Sequence, residues 1–222
     1  MCCTDVPHFR EIIVMSFLCD ECGYKTVEVK GGGGVPEQGT RSVLKLTPGD
    51  TMEEDLRRDV IKSDTAGVSI PELDLSLAHG SLGGIYTTVE GLLNLIRDSL
   101  IESNPFQYSA GDSARSEDVA AFHAFLDRVA ACAKGEMAFT LEIEDPLANT
   151  FVYSPFAPDP DPRLEHTRYD RTYDENMQLG LLDMRTEDYE VPGEGEAPPA
   201  VPGALPAVTE AEEEEEEEEK ED

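Results

Sequence analysis

Tryptophan is absent from this 222-residue chain, and aromatic residues make up only 7% of it. Apolar packing must therefore come mostly from aliphatic side chains. Basic residues are also scarce: 17 Lys and Arg stand against 48 Asp and Glu, a formal net charge of -31. That excludes a phosphate-backbone binder, which needs clustered Lys and Arg, and favours basic protein partners or plain solubility. There are only five cysteines, and Cys2-Cys3 is poor disulfide material. An oxidised scaffold is excluded, and a reducing cytoplasm or nucleus is the expected setting. The longest apolar run, Ile12 to Leu18, is far too short to span a bilayer and reads as a buried strand. No targeting segment is evident, so no membrane partner is expected.

Catalytic signatures are missing too. The glycine run 31–34 lacks the Gly-Lys-Ser/Thr of a phosphate loop and reads as a turn between strands. There is no nucleophile elbow and no His-Glu-x-x-His. His8, His79, His123 and His166 are scattered, with none at ligand spacing to Cys or Asp. No enzyme is expected.

What is present begins with charge placement. From Thr186 onward there are sixteen acidic residues and one Lys, eight of them consecutive Glu at 212–219. Such a segment has nothing to bury, and residues 186–222 are expected to be a disordered acidic tail. Residues 1–185 still carry about half of the negative charge and are long enough for one sizeable core with a small appended unit.

The most specific local signal is Cys19-Asp20-Glu21-Cys22-Gly23. Two thiolates on one tight turn, followed by a Gly that lets the backbone curl, form half of a zinc knuckle. Cys19 and Cys22 are the candidate metal ligands. A structural zinc takes four ligands, and no further Cys-x-x-Cys occurs. Cys2 and Cys3 are neighbours on an extended segment and point to opposite faces, so at most one could be recruited. Cys132 falls near an apolar helical stripe and reads as a small buried residue.

Strand patterns occur at Phe9–Leu18, Thr26–Lys30, Arg41–Thr47, Ala138–Ile143 and Thr150–Tyr153. A helical turn is placed within Pro48–Arg58. Val68–Leu77 contains Pro71, hence an edge strand or two short strands. Two helices are clear. Thr87 with Glu90 suggests a capping box, followed by the stripe Val89, Leu92, Leu93, Ile96, Leu100. Ser116 suggests the second cap, followed by Val119, Phe122, Leu126, Val129, Ala133. A last helix is expected within Tyr169–Leu182. Strands, a helical pair at about 87–135, then strands again define a mainly β fold with an α insertion.

Several ordered runs then match one family. They are His8-Phe9-Arg10-Glu11-Ile12-Ile13-Val14-Met15, Cys19-x-x-Cys22-Gly23-Tyr24-Lys25, Arg58-Asp59-Val60-x-Lys62-Ser63-Asp64-Thr65, Ile70-Pro71-Glu72-Leu73, Leu82-Gly83-Gly84-x-x-Thr87-Thr88-Val89-Glu90-Gly91, and Asp145-Pro146-Leu147-Ala148-Asn149-Thr150. From Val6 to Tyr189 the chain resembles the ZPR-type zinc-finger proteins. That resemblance implies a four-cysteine zinc finger beside a double-stranded β-helix of antiparallel sheets with an inserted helical hairpin. It divides the chain into a partial zinc ribbon at 1–35, a β domain at 36–185 and the tail. It implies the second of two tandem modules, with this chain starting inside the finger. It also implies zinc as cofactor, translation elongation factor 1-alpha as a client whose folding is assisted, receptor tyrosine-kinase tails as further partners, and residence in cytoplasm and nucleus. Two other readings stay open: an orphan module without a client, and an adaptor for basic proteins driven by the acidic tail. Lys62–Thr65 and the Gly83-Gly84 turn are read as turn chemistry ahead of partner surface.

Overall fold

A computed structural model of the chain describes residues 1–108 and 116–184. The expected tail at 186–222 lies outside the described residues.

The chain opens with a three-stranded antiparallel ribbon. It consists of β1 (Cys2–Asp5), β2 (Glu11–Leu18) and β3 (Lys25–Gly31), in the order β1-β2-β3. Alternation along β2 and β3 sends Ile12 and Val29 to one face, where both are buried. The same face carries Leu18 and Val27 at the far end, and there both are exposed.

The remaining chain forms a two-sheet β domain. β4 (Gly39–Leu46) is followed by a short helix, α1 (Met52–Leu56), and by β5 (Asp59–Lys62) and β6 (Gly67–Ile70). A single 3-10 turn at Pro71–Leu73 separates β6 from β7 (Leu75–Leu77), so the Pro-containing segment is two short strands, with β7 at a sheet edge. β8 (Ile85–Thr88) leads into the helices α2 (Val89–Ser103), α3 (Pro105–Tyr108) and α4 (Ser116–Ala133). β9 (Phe139–Asp145), β10 (Phe151–Val152), β11 (Leu164–Tyr169) and α5 (Tyr173–Gln178) complete it. One sheet has the order β10-β5-β8, the other β11-β4-β9-β6-β7, and every pairing is antiparallel. The hairpin of α2 and α4 is inserted between β8 and β9, as expected. Among the described residues, no helix is long and apolar enough to cross a membrane.

The core lies between the sheets and under the hairpin. The α2 stripe of Val89, Leu92, Leu93 and Ile96 is fully buried, against Val129 and Cys132 of α4 and Leu44, Leu141 and Ile143 of the larger sheet. Cys132 is thus the small buried residue its position suggested.

Several local expectations shift. The cap of α2 is Thr88, whose side chain accepts from the Gly91 N–H, and not Thr87; both threonines pair in β8, and the helix begins directly after Thr88. The final helix is shorter than the segment Tyr169–Leu182: Tyr169 still pairs with β4, and left-handed Gly180 separates the helix from a 3-10 turn at Leu181–Asp183. α5 buries none of its residues and is set by a Thr172–Glu175 capping box. The proposed Ser116 cap lies outside the described side chains.

Candidate metal knuckle and the seam beneath it

The knuckle sits at the distal tip of the ribbon, between β2 and β3. The Cys19 N–H donates to the Tyr24 carbonyl at 2.8 Å, and the Gly23 N–H donates to the Cys19 carbonyl at 2.9 Å. Gly23 adopts φ +73° with open space around its Cα, so backbone conformation rather than room selects glycine there. The two sulfurs converge. The Cys19 thiol is pulled below its usual range by the Cys22 backbone N–H, by the Cys22 thiol and by the Glu21 N–H. A depressed pKa favours the thiolate, the form that binds metal. Cys19 and Cys22 thus fit two of the four positions of a tetrahedral thiolate site.

The other cysteines do not join them. Cys2 and Cys3 are exposed, and Cys2 pairs with Val14. Val14 is four residues from Leu18, about 13 Å along a strand. Recruitment of either is ruled out by register rather than by side-chain direction alone.

Around the tip, Phe17, Leu18 and Tyr24 are each about 60% exposed. Phe17 and Leu18 are neighbours on β2 and point to opposite faces, so the tip carries exposed apolar side chains on both sides of the ribbon.

The base of the ribbon is fused to the β domain. The Val29 N–H donates to the Gly84 carbonyl at 3.0 Å. A Cβ on Gly84 would stand 2.0 Å from the Val29 carbonyl oxygen, so only glycine permits this approach. On the other side the Arg10 guanidinium donates to the Ala148 carbonyl at 2.8 Å and to Asn149 Oδ1 at 3.0 Å. Burial lowers the Arg10 pKa, partly offset by Asp145. Phe9 stacks on Phe151 with centroids 4.9 Å apart, and Ile12, Val29 and Ile61 close a small core across the seam.

Below the seam two buried charges organise the loops that receive the ribbon. Lys62 is completely buried and donates to the carbonyls of Ser63, Ser81 and Gly83 at 2.9, 2.7 and 3.3 Å. Burial lowers its pKa to about 8, with Asp145 and Asp64 opposing. Asp145 is also completely buried. It accepts from the hydroxyls of Ser63, Thr65 and Thr150 and from the N–H groups of Leu147 and Asn149. Lys62 therefore fixes the loop that ends in Gly84, and Asp145 fixes the loop that offers Ala148 and Asn149 to Arg10. The turn reading of Lys62–Thr65 and Gly83-Gly84 holds for the buried members, and Gly83 has φ +66°. Sequence reasoning missed that these runs meet at one seam. Their common abundance of small polar residues beside a lone Lys or Asp was the only available signal.

A thiolate knuckle on a β-ribbon, welded to an antiparallel two-sheet barrel with a helical insertion, defines a zinc-ribbon jelly-roll protein. The family comparisons agree with both parts. A ZPR1 zinc-finger domain matches residues 1–37, and a ZPR1 jelly-roll domain matches residues 54–181. The chain belongs to the ZPR1 family, a zinc-finger family whose metal is zinc. It is 44% identical over 189 residues to the zinc finger chaperone zpr1 of Schizosaccharomyces pombe, covering 85% of this chain and 40% of that protein. It is 41% identical over 185 residues to the zinc finger protein ZPR1 of Homo sapiens, covering 83% and 39%. An uncharacterized ZPR1-like protein of Methanocaldococcus jannaschii is 24% identical over 152 residues, 67% of this chain and 69% of that one. The chain spans about two fifths of the length of the first two relatives.

Proposed function

We propose that this chain is a non-enzymatic protein-binding module that grips a translation GTPase of the elongation factor 1-alpha type and assists its folding. Cys19 and Cys22 supply two thiolates to a zinc ion, and the bound ion stiffens the tip of the ribbon. The observation that carries the reading is the seam. Val29–Gly84 and Arg10–Asn149 fix the ribbon to the jelly roll, so the exposed Phe17, Leu18 and Tyr24 are presented from a rigid base. Preorganised apolar side chains lose little conformational entropy on binding. The fission-yeast relative is named a chaperone, which supports the same direction.

Capture of purified elongation factor 1-alpha by the full chain tests this. Enrichment above a control made of residues 186–222 is expected, and Leu18→Asp with Tyr24→Asp lowers it at least tenfold. No enrichment above that control refutes the client assignment. The same surface is the one we assign to receptor tyrosine-kinase tails, and the site of action is cytoplasm and nucleus.

The net charge of -31 favours one second reading, an adaptor for basic proteins. Under that reading, deleting 210–222 abolishes capture. Under the client reading, deletion only weakens it in a salt-dependent way.

A further inference from the structure

Three residues far apart in the chain meet at one corner of the jelly roll, well away from the ribbon tip in sequence. His79 follows β7, Glu144 lies near the end of β9, and Glu175 lies on α5. One ligand atom from each falls within 4.8 Å of the other two. The sequence offered no hint of this, since the spacings between the three match no ligand motif.

Each side chain is already disposed for coordination. His79 Nδ1 lies 2.8 Å from the Thr65 carbonyl oxygen. A carbonyl only accepts, so Nδ1 carries the proton there, and Nε2 is the ring nitrogen left to face a metal ion. A backbone carbonyl on one ring nitrogen is the usual support of a metal-ligating imidazole. The Glu175 carboxylate is held by the Thr172 N–H at 2.7 Å, the Thr172 hydroxyl at 2.8 Å and the Tyr169 hydroxyl at 3.2 Å. These donors fix the carboxylate in place, with Oε1 accepting a single hydrogen bond and so keeping a lone pair for an ion. Glu144 stands opposite Arg41 in the sheet register, but Arg41 bonds to Glu142 at 2.5 Å. Among the described residues Glu144 has no hydrogen bond or ion pair of its own. Beside the three lies an open cleft of about 180 Å³, lined in part by Gly67, Ser69, Ser76 and Glu142, with room for water ligands.

We propose that His79, Glu144 and Glu175 bind a divalent transition-metal ion of the zinc class, at a site separate from the ribbon. One imidazole with two carboxylates suits Zn²⁺, Co²⁺ or Mn²⁺. Ca²⁺ prefers six to eight oxygens, and Mg²⁺ prefers water and oxygen in octahedral geometry. Ligand bonds of about 2.0–2.2 Å place donor atoms about 3–3.5 Å apart, so binding draws the three side chains closer than their present limit of 4.8 Å. Arg41 lies within electrostatic reach of Glu144 and opposes binding, but its bond to Glu142 draws its charge aside. The ion ties together the β7–β8 loop, β9 and α5. This matters most for α5, which has no buried residue of its own. Metal binding thereby latches the helix that carries the exposed Tyr173 and Met177. The proposal does not depend on the identity of any client.

The test uses the full chain with Cys19→Ser and Cys22→Ser, titrated with Co²⁺ and, by calorimetry, with Zn²⁺. One equivalent is expected, with a Co²⁺ d–d spectrum lacking the thiolate charge-transfer band. Glu144→Gln and His79→Gln each lower its affinity at least tenfold. Failure of the double Ser variant to fold moves the measurement to the chain with both thiols present, where Glu144→Gln lowers bound zinc by one equivalent. Hydrogen exchange gives an independent readout: zinc slows exchange in Tyr173–Gln178 of the parent chain but not of the Glu144→Gln variant. Absence of this equivalent, binding only at millimolar metal, or indifference to both substitutions overturns the proposal.

Discussion

The jelly roll gathers 22 buried apolar residues into one cluster, whereas the ribbon contributes only Ile12 and Val29 to a cluster whose third member, Ile61, belongs to β5. The first is enough apolar surface to drive folding by burial at roughly 25 cal/mol per Å². The second is not, so the ribbon must take its stability from elsewhere. The seam at the base is one source, and the zinc ion we propose for the tip would be the other. The contrast teaches that the seam, and the buried polar residues beneath it, hold the ribbon in place although they lie far from its exposed tip. The loops at Lys62–Thr65, Leu82–Gly84 and Asp145–Thr150 build the socket that receives the ribbon.

The largest effect should come from the residue that serves both regions. Asp145→Ala removes a buried acceptor from three hydroxyls and two backbone N–H groups. Leaving several donors unsatisfied costs about 4 kcal/mol or more. Urea denaturation should show the jelly roll weakened by that amount, and exchange in β3 should accelerate with it. A loss below about 1 kcal/mol would mean that Asp145 is not the anchor of the socket.

A smaller and more selective effect is expected from Gly84→Ala. The new methyl group meets the Val29 carbonyl at 2.0 Å, and the Val29–Gly84 hydrogen bond must open. The cost is about 2–3 kcal/mol, paid at the seam. Amide exchange in Lys25–Gly31 should rise sharply while the α2 and β9 amides keep their protection. Equal losses in both regions would break the comparison, because ribbon and jelly roll would then be one cooperative unit.

These asymmetries also decide what could be read in advance. Long periodic segments were legible: α2 through its stripe of Val89, Leu92, Leu93 and Ile96, and β9 through Phe139, Leu141 and Ile143. So was the Cys-x-x-Cys-Gly turn, because its residue types are demanded locally. β11 was not, because only Leu164 of its six residues is buried and the rest is polar edge strand. β5 and β8 are four residues each, too short to show a period, and Thr87 and Thr88 compete for one cap. The seam was illegible for a different reason. Gly84 reads as a turn residue until Val29 is placed against it, and Arg10 reads as surface charge until Asn149 arrives. Likewise His79, Glu144 and Glu175 come together only through pairing of strands distant in sequence.

The subtlest consequence concerns Lys62, which couples the two regions through the loop ending at Gly84. Its folded-state pKa of about 8 lies below the ordinary 10.5 of an unfolded chain. Between those values the unfolded state binds more protons than the folded one, so stability rises with pH across that window. The gain is on the order of 1–2 kcal/mol by pH 9.5, since each unit of separation is worth about 1.4 kcal/mol. Cys19, with its lowered pKa, contributes in the same direction in the metal-free chain, and the raised pKa of buried Cys132 opposes. A control is therefore required. Lys62→Met keeps both thiols and removes the titrating amine, so the difference between the two pH profiles isolates Lys62. That difference should grow from pH 8 to 9.5 in favour of the parent chain. Parallel profiles would show that the ammonium is stabilised by its three carbonyl acceptors as fully as by water, and the charge beneath the seam would then have no titratable influence on either region.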